Sequence, residues 1–227
     1  MIKDRVLMDK ETEILEKLLA NYPALTPLRG DLLSAYLLLQ HCYEQKGIVL
    51  ICGNGGSAAD AEHIAGELMK GFLLNRPLSP DEQKRFTSKG GDMNILAEHL
   101  QNALPAVSLV SQTGLISAFS NDVSPDLVYA QQVYAYAKHH RAILIALSTS
   151  GSSENIVKAV QTAQCLGVDS IGITGQSGGR LKHLCSVCLC VPSDETFRVQ
   201  EYTLPIYHAL CAMLEAHFFS LSPPSYF

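Results

Sequence analysis

The feature that most constrains this fold begins at Ile48, where short apolar runs alternate with small-residue loops and helical segments. This alternation is typical of a parallel sheet whose strands are joined by crossover helices. Five strands are predicted, at Ile48–Cys52, Ala106–Val110, Ala142–Leu147, Ser170–Thr174 and Val187–Val191. We therefore expect an α/β protein with a doubly wound five-stranded parallel sheet flanked by helices.

Two helical segments precede the sheet. Apolar residues at helical spacing predict one helix over Asp4–Leu19 and a second from Asp31 to Tyr43, with Asp31 as its N-cap. Residues 1–46 thus form a helical N-terminal arm, and residues 47–220 form the main domain.

The rest of the main domain contains one insertion and one long helix. Residues 73–105 are polar and rich in Pro and Gly, which indicates a surface insertion, with one possible helix over 93–103. A final helix is predicted from Thr196, as N-cap, to Phe218, with a kink at Pro205. The tail SLSPPSYF is expected to be irregular.

Charge and cysteine content exclude several classes of protein. The net charge of -5, without a Lys- or Arg-rich stretch, argues against nucleic-acid and anionic-membrane partners. The charged N-terminal segment does not resemble a signal peptide, and no apolar run reaches membrane-spanning length. Seven cysteines, an odd number, favour a reducing cytoplasm over a disulfide framework. Cys185, Cys188 and Cys190 fit a core strand better than a metal knuckle, because no second Cys or His pair stands at finger spacing.

Two strand-to-helix junctions are suited to an anion. The first, Gly53–Ser57, has glycines that let backbone amides approach a ligand, and the second, Ser148–Ser153, has five hydroxyl side chains around Gly151. Either loop alone could be ordinary helix capping. Because both follow parallel strands, we expect them to converge on one crevice that binds a phosphate. Neither contains a Walker lysine, so a nucleotide site is not favoured.

His63 and Glu67 stand four residues apart on the helix after the first loop and therefore share one face. Such a pair is either half of a metal site or a solvated helix pair. In the last helix, Gln200 and His208 are eight residues apart, or about 12 Å along the axis, too far to grip one ion from a straight helix. Either the kink at Pro205 helps, or a metal bridges elements of different subunits, and we favour an oligomer.

Three strings, GNGGSAADAEHIAGEL, STSGSSENIVKA and RVQEYTLPIYHAL, together with Asn121-Asp122, make the chain resemble the bacterial phosphoheptose isomerases of the SIS (sugar isomerase) superfamily. The resemblance covers Ile48 to His217. It departs from the family in the long 73–105 insertion and in Phe197, where an acidic residue is common.

The resemblance implies specific roles. The metal ligands of the family, which hold zinc, match His63, Glu67, Gln200 and His208. The acid/base pair is assigned to Glu67 and His208. The substrate contacts match residues of both loops and three others, namely Asn54, Gly55, Gly56, Ser57, Asn121, Asp122, Ser148, Thr149, Ser150, Ser153 and Gln200. Homotetramers with shared sites are implied as well.

The function expected from this resemblance is aldose-ketose isomerisation of sedoheptulose 7-phosphate to a manno-heptose 7-phosphate, through an enediol and with help from the metal. One alternative is a non-enzymatic SIS protein that acts as a DnaA-binding scaffold, since a fold does not fix a function. Another is a phosphosugar-binding module or a related lyase. The complete set of four metal ligands favours the isomerase over the scaffold.

Overall fold

Five strands form the centre of the fold, which the computed structural model describes for residues 9–220. Their bounds are β1 Ile48–Gly53, β2 Ala106–Ser108, β3 Ala142–Leu147, β4 Ser170–Thr174 and β5 Val187–Cys190. They lie in the order β2-β1-β3-β4-β5, and every neighbouring pair is parallel. The predicted doubly wound sheet is confirmed. The edge strands are shorter than predicted, since β2 gives way to a 3-10 turn at Leu109–Ser111 and β5 ends before Val191.

Helices cover both faces of this sheet. In the described residues they are α1 Asp9–Asn21, α2 Arg29–Glu44, α3 Gly56–Met69, α4 Pro80–Thr87, α5 Met93–His99, α6 Thr113–Asp122, α7 Val128–Ala137, α8 Glu154–Cys165, α9 Leu181–Leu184 and α10 Thr196–Phe219. Because successive strand residues point to opposite faces, Val49 and Ile51 join a core with α1, α2, α3 and α10, whereas Leu50 and Cys52 join a second core with α7 and α8.

The predicted helix starts need correction. A 3-10 helix at Pro23–Leu28 leads directly into α2, so Leu28 occupies the N-cap position and Asp31 lies within the first turn. At α10 the N-cap is Glu195, and Thr196 is the first helical residue. The helix then continues through Pro205. Residues 4–8 of the predicted first helix and residues 221–227 of the predicted irregular tail lie outside the described residues.

The 73–105 insertion contains two short helices instead of one. Helix α4 buries none of its residues, but Arg76, Ala97 and Leu104 of the same segment are buried. The N-terminus of α4 is a capping box, in which the Ser79 side chain accepts from the Glu82 amide and the Glu82 carboxylate accepts from the Ser79 amide. The string Ser79-Pro80-Asp81-Glu82 was therefore a helix-start signal that the sequence analysis missed.

The cysteines remain thiols. All seven lie in the described residues and none forms a disulfide. Cys188 and Cys190 are half-buried in edge strand β5, and Cys185 is half-buried just before it. Burial raises the pKa of Cys185 to about 11 and that of Cys188 to about 12, which keeps these two thiols protonated. Separately, no helix among residues 9–220 combines the length and apolar character needed to cross a membrane.

Candidate functional site

The two predicted anion-binding loops meet at the carboxyl ends of neighbouring strands β1 and β3. Asn54, in the glycine loop, and Asn155, just after the serine loop, exchange two amide hydrogen bonds of 2.8 and 3.0 Å. Tyr129 adds a bond of 2.9 Å from its hydroxyl to the carbonyl of Gly53. The loops therefore form two walls of one crevice. Sequence reasoning did not select Asn155 or Tyr129, because neither belongs to a loop motif.

The serine loop, Ser148–Ser153, is arranged around the N-terminus of α8. The hydroxyls of Ser148 and Ser153 lie 3.2 Å apart, and the Ser150 hydroxyl accepts from the amide of Ser152 at 3.2 Å. Ser153 occupies the N-cap position without a capping hydrogen bond from its side chain. The loop thus combines hydroxyl donors with the positive end of a helix dipole, which is the environment that binds phosphate.

The loop formed by residues 175–180 packs against the serine loop. Gly151 has a φ of +63°, and a Cβ built on it would lie 2.1 Å from the carbonyl oxygen of Gly178. The hydroxyl of Ser152 accepts from the amide of Arg180 at 3.3 Å. The shape of the serine loop therefore depends on a residue without a side chain at position 151.

We predict that Gly151→Ala is much more damaging than Gly167→Ala. Both glycines have left-handed φ values, +63° and +67°, but nothing lies within 4 Å of a Cβ at Gly167. Gly167→Ala should lower the free energy of unfolding by about 1–2 kcal/mol through backbone strain alone. Gly151→Ala adds the clash and should also weaken the binding of inorganic phosphate. Urea unfolding and calorimetric titration measure the two effects, and equal losses in both variants would contradict the proposed role of the loop.

The glycine loop, Gly53–Ser57, lies close to α10. Gly55 has a φ of +57°, and a Cβ on Gly56 would stand 2.4 Å from the side-chain nitrogen of Gln200. Ser57 is buried in the first turn of α3, whose N-cap makes no side-chain hydrogen bond. Gln200 therefore belongs to the glycine-loop wall of the crevice.

Asn121 and Asp122 lie at the end of α6, on the protein surface. Their side chains bond to each other, with 2.9 Å from the Asn121 amide to the Asp122 carboxylate. The structure places them apart from the hydrogen bonds that join the two loops. Their role in substrate binding stays a prediction.

The candidate metal ligands occupy neighbouring turns of α3 and α10. The rings of His63 and His208 lie 5.1 Å apart between centroids, and His63 Nε2 is 3.0 Å from Glu67 Oε1. Gln200 instead contacts Gly56, seven residues before His63 on α3, or about 10 Å away at helical rise. A single chain thus brings together three of the four predicted ligands and leaves Gln200 apart.

The protonation states of Glu67 and His208 suit acid/base chemistry. Burial alone would raise the pKa of Glu67, but hydrogen bonds and charge from Lys70 and His63 outweigh it and hold the pKa below its usual value. Lys70 Nζ donates to Glu67 Oε2 at 2.8 Å. Burial, followed by the charge of His63, lowers the pKa of His208. Near neutral pH Glu67 is therefore a carboxylate and His208 a neutral imidazole.

The donor set fits a divalent cation by its chemistry. His208 Nε2 is buried without a hydrogen-bond partner, an arrangement that is costly unless something binds there. Imidazole nitrogen and carboxylate oxygen are the donors that zinc uses together. Across residues 9–220, however, no three His, Cys, Asp or Glu side chains stand close enough to hold a metal ion as they are. The side chains of His63, Glu67 and His208 would have to close around it.

One further side chain joins this cluster. Tyr207 is almost fully buried. Its hydroxyl lies 2.9 Å from His63 Nδ1 and donates to Asp60 Oδ1 at 3.2 Å. Burial, with the charge of Asp60, raises the pKa of Tyr207, so its hydroxyl stays protonated. The sequence analysis missed it because a tyrosine next to His208 has no recognisable motif.

A cavity of about 330 Å³ does not coincide with this site. It lies at the opposite, amino end of the strands, beside Arg141 and Asp169. Ligands of open α/β sheets bind at the carboxyl ends of the strands. We therefore place the functional site at the open crevice between the two loops and α10.

The chain is similar to known proteins of one family. The family model for the SIS domain matches residues 23–90 and 92–175. A phosphoheptose isomerase of Nitratiruptor sp. is 34% identical over 92% of this chain and 97% of its own. One from Helicobacter pylori strain Shi470 is 37% identical over 96% of both chains.

Solved structures agree with the sequence matches. The phosphoheptose isomerase GmhA from Neisseria gonorrhoeae superimposes with a TM-score of 0.68 and 30% identity, over 90% of this chain and 96% of that one. A phosphoheptose isomerase from Francisella tularensis gives 0.67 and 29%, over 93% and 99%.

Proposed function

Because the chain belongs to the phosphoheptose isomerase family of SIS-domain proteins and is a sugar-phosphate isomerase, we propose that it interconverts sedoheptulose 7-phosphate and a manno-heptose 7-phosphate with the help of a divalent metal. The observation that carries this proposal is the course of α3, which begins at the glycine loop paired with Asn155 and carries His63 and Glu67, beside His208, further along. The crevice suits the phosphate group of the substrate, and the cluster suits its reacting end.

The residues of this chain divide the work between binding and proton transfer. The serine loop and the N-terminus of α8 hold the phosphate, with Ser148, Thr149, Ser150 and Ser153 as donors. Asn54 to Ser57, Asn121, Asp122 and Gln200 are proposed to contact the sugar. Binding at the phosphate end fixes the carbon chain so that C1 and C2 face Glu67 and His208.

Isomerisation moves one proton between C1 and C2 of the sugar. A base removes the C1 proton of the ketose, the C1–C2 double bond of an enediol forms as the carbonyl oxygen gains a proton, and C2 is then protonated as the C1 hydroxyl becomes the aldehyde. Glu67 and His208 are proposed to share these transfers, since one is ionised and the other is a neutral imidazole. Lys70 keeps Glu67 ionised at some expense of its basicity.

Zinc is the proposed metal, with His63, Glu67, His208 and Gln200 as the residues that would hold it. When bound, it would supply Lewis-acid polarisation of the substrate oxygens. Gln200 lies beside Gly56, so its participation requires a change of its side-chain position or a different subunit.

A homotetramer in the cytoplasm is proposed for the assembled protein. Exposed apolar side chains near the site support self-association, including Leu73 at 66% exposure and Phe197 at 56%. Seven free thiols support a reducing compartment. Light scattering of the purified protein tests the assembly.

The proposal is tested by incubating the purified protein with sedoheptulose 7-phosphate and following aldose formation by NMR. Turnover is expected with zinc and should be lost after chelation, while binding of the phosphosugar persists because the phosphate loops do not depend on the metal. Full activity of the chelated, metal-free protein would refute the metal-assisted mechanism. Absence of turnover with this substrate, but turnover of a shorter sugar phosphate, would refute the heptose assignment.

A further inference from the structure

Four polar side chains, three on α3 and one on α10, form a continuous network of short contacts. Asp60 Oδ1 is 3.2 Å from the Tyr207 hydroxyl, which is 2.9 Å from His63 Nδ1, and His63 Nε2 is 3.0 Å from Glu67 Oε1. Tyr207 is 1% exposed, whereas the side chain of His63 is 43% exposed. Each of the three contacts needs one bridging hydrogen or cation.

This network of four side chains has one hydrogen fewer than its three contacts require. The tyrosine supplies one hydrogen and a neutral histidine supplies another, so two hydrogens serve three contacts. Whichever tautomer His63 adopts, two acceptors face each other at one of the contacts. Two facing lone pairs repel each other unless a proton or a metal ion lies between them, and the partly exposed side chain of His63 is open to either.

The surroundings show which contact lacks the hydrogen. Glu67 already has a cationic partner in Lys70, at 2.8 Å, whereas Tyr207 is the side-chain donor to Asp60. The tyrosine hydrogen is therefore directed to Asp60. His63 must then donate from Nδ1 to the tyrosine oxygen, which leaves the Nε2 lone pair facing Glu67.

We propose that Tyr207, held by Asp60, is a positioning residue that keeps hydrogen on His63 Nδ1 and thereby presents Nε2, with Glu67 Oε1, to a divalent cation. This inference rests on the proposed metal-assisted function. Metal-binding histidines are commonly oriented in this way, by a hydrogen bond from the nitrogen that does not bind the metal. The adjacent His208 contributes its unpartnered Nε2 from the same turn of α10.

The first test measures zinc affinity by competition with a chromophoric chelator. Tyr207→Phe removes only the hydroxyl and should weaken zinc binding by about 10–100-fold. Tyr43→Phe is the matched control, because Tyr43 is also buried and its hydroxyl donates to a backbone carbonyl, that of Pro105 at 3.3 Å. The control should bind zinc like the wild type. Unchanged affinity in Tyr207→Phe would overturn the inference.

The second test does not use zinc. Proton–nitrogen correlation NMR of the metal-free protein reports which ring nitrogen of His63 carries hydrogen. Hydrogen on Nδ1, with or without a second on Nε2, is expected in the wild type, and Tyr207→Phe should lose this preference. A neutral ring with hydrogen only on Nε2 would overturn the inference.

The two proposals fail differently. A wild-type protein that binds no zinc would overturn the metal-assisted function and, with it, the cation-directed role of Tyr207. A wild type that binds zinc, together with a Tyr207→Phe variant of equal affinity, overturns the role of Tyr207 alone.

Discussion

Glu67→Gln should lower kcat for sugar-phosphate isomerisation by about 10²–10⁴-fold, the range that general acid-base groups contribute. The amide has nearly the same shape as the carboxylate but cannot accept a proton from carbon. The hydrogen bonds and charge of Lys70 and His63 overcome the effect of burial and keep the pKa of Glu67 low, so the wild-type enzyme has the ionised base available near neutral pH. The measurement is steady-state kinetics, with phosphosugar affinity determined separately by calorimetry.

Glu62→Gln is the matched control for this variant. Glu62 lies on the same helix, is exposed, and its carboxylate accepts from the Ser111 hydroxyl at 2.9 Å. Its replacement should leave kcat unchanged. Full turnover by Glu67→Gln would remove Glu67 from the acid/base pair. Phosphosugar affinity should be retained in both variants, because neither Glu62 nor Glu67 belongs to the two loops that are proposed to bind the phosphosugar.

The fold was predictable because each strand is a short, apolar run bounded by small residues. Ile48–Gly53 and Ala142–Leu147 are almost entirely buried, and such continuous apolar runs are typical of strands that are covered on both faces of a parallel sheet. The convergence of the two loops followed from the same topology, and the paired amides of Asn54 and Asn155 confirm it. Helix starts were less predictable. A 3-10 turn that buries Leu25 and Leu28 determined the start of α2 instead of the capping preference of Asp31.

The remaining parts of the site were hidden from sequence because they depend on contacts between distant residues. Tyr207 and Asp60 are 147 positions apart, and only the packing of α10 against α3 brings them together. The placement of His208 beside His63 has the same origin. Spacing along α10 correctly separated Gln200 from His208, but it could not reveal that His208 reaches the His63–Glu67 pair within one chain.

Another contact between distant residues supports α3 at its C-terminal end. Arg76 and Glu215 form an ion pair of 2.8 Å, with side chains 0% and 1% exposed. Glu215 also accepts from the backbone amides of Phe72, Leu73 and Leu74 at 2.7–3.0 Å. The pair thus fixes the chain that leaves α3.

The guanidinium of Arg76 connects this ion pair to the site. It donates to the carbonyl of Leu68 at 2.8 Å and to that of Glu67 at 3.2 Å. These carbonyls belong to the last turn of α3, so no amide of a following helical turn donates to them. Arg76, whose charge is balanced by Glu215 of α10, therefore holds the backbone of Glu67, the proposed base.

Glu215→Met should lower the free energy of unfolding by about 3–5 kcal/mol, since removal of one partner leaves a buried charge uncompensated. The loss should exceed that of Arg76→Met. In Arg76→Met the Glu215 carboxylate keeps its three backbone donors. In Glu215→Met those three donors and the guanidinium all lose the carboxylate that they bind. The double variant should be more stable than the sum of the single losses predicts, as two contacting residues are coupled. Urea unfolding of all three variants measures these differences.

An exposed ion pair provides the comparison that isolates burial. Arg29 contacts Glu16 at 2.5 Å, but the two side chains are 49% and 52% exposed, so Arg29→Met should change the free energy of unfolding far less than either buried substitution. If Glu215→Met were as mild as Arg29→Met, the backbone donors at Phe72–Leu74 would have found other acceptors, and the ion pair would not be what holds the end of α3. If it is severe, kcat should fall together with stability, because Arg76, which donates to the carbonyl of Glu67, loses the carboxylate that holds it in place.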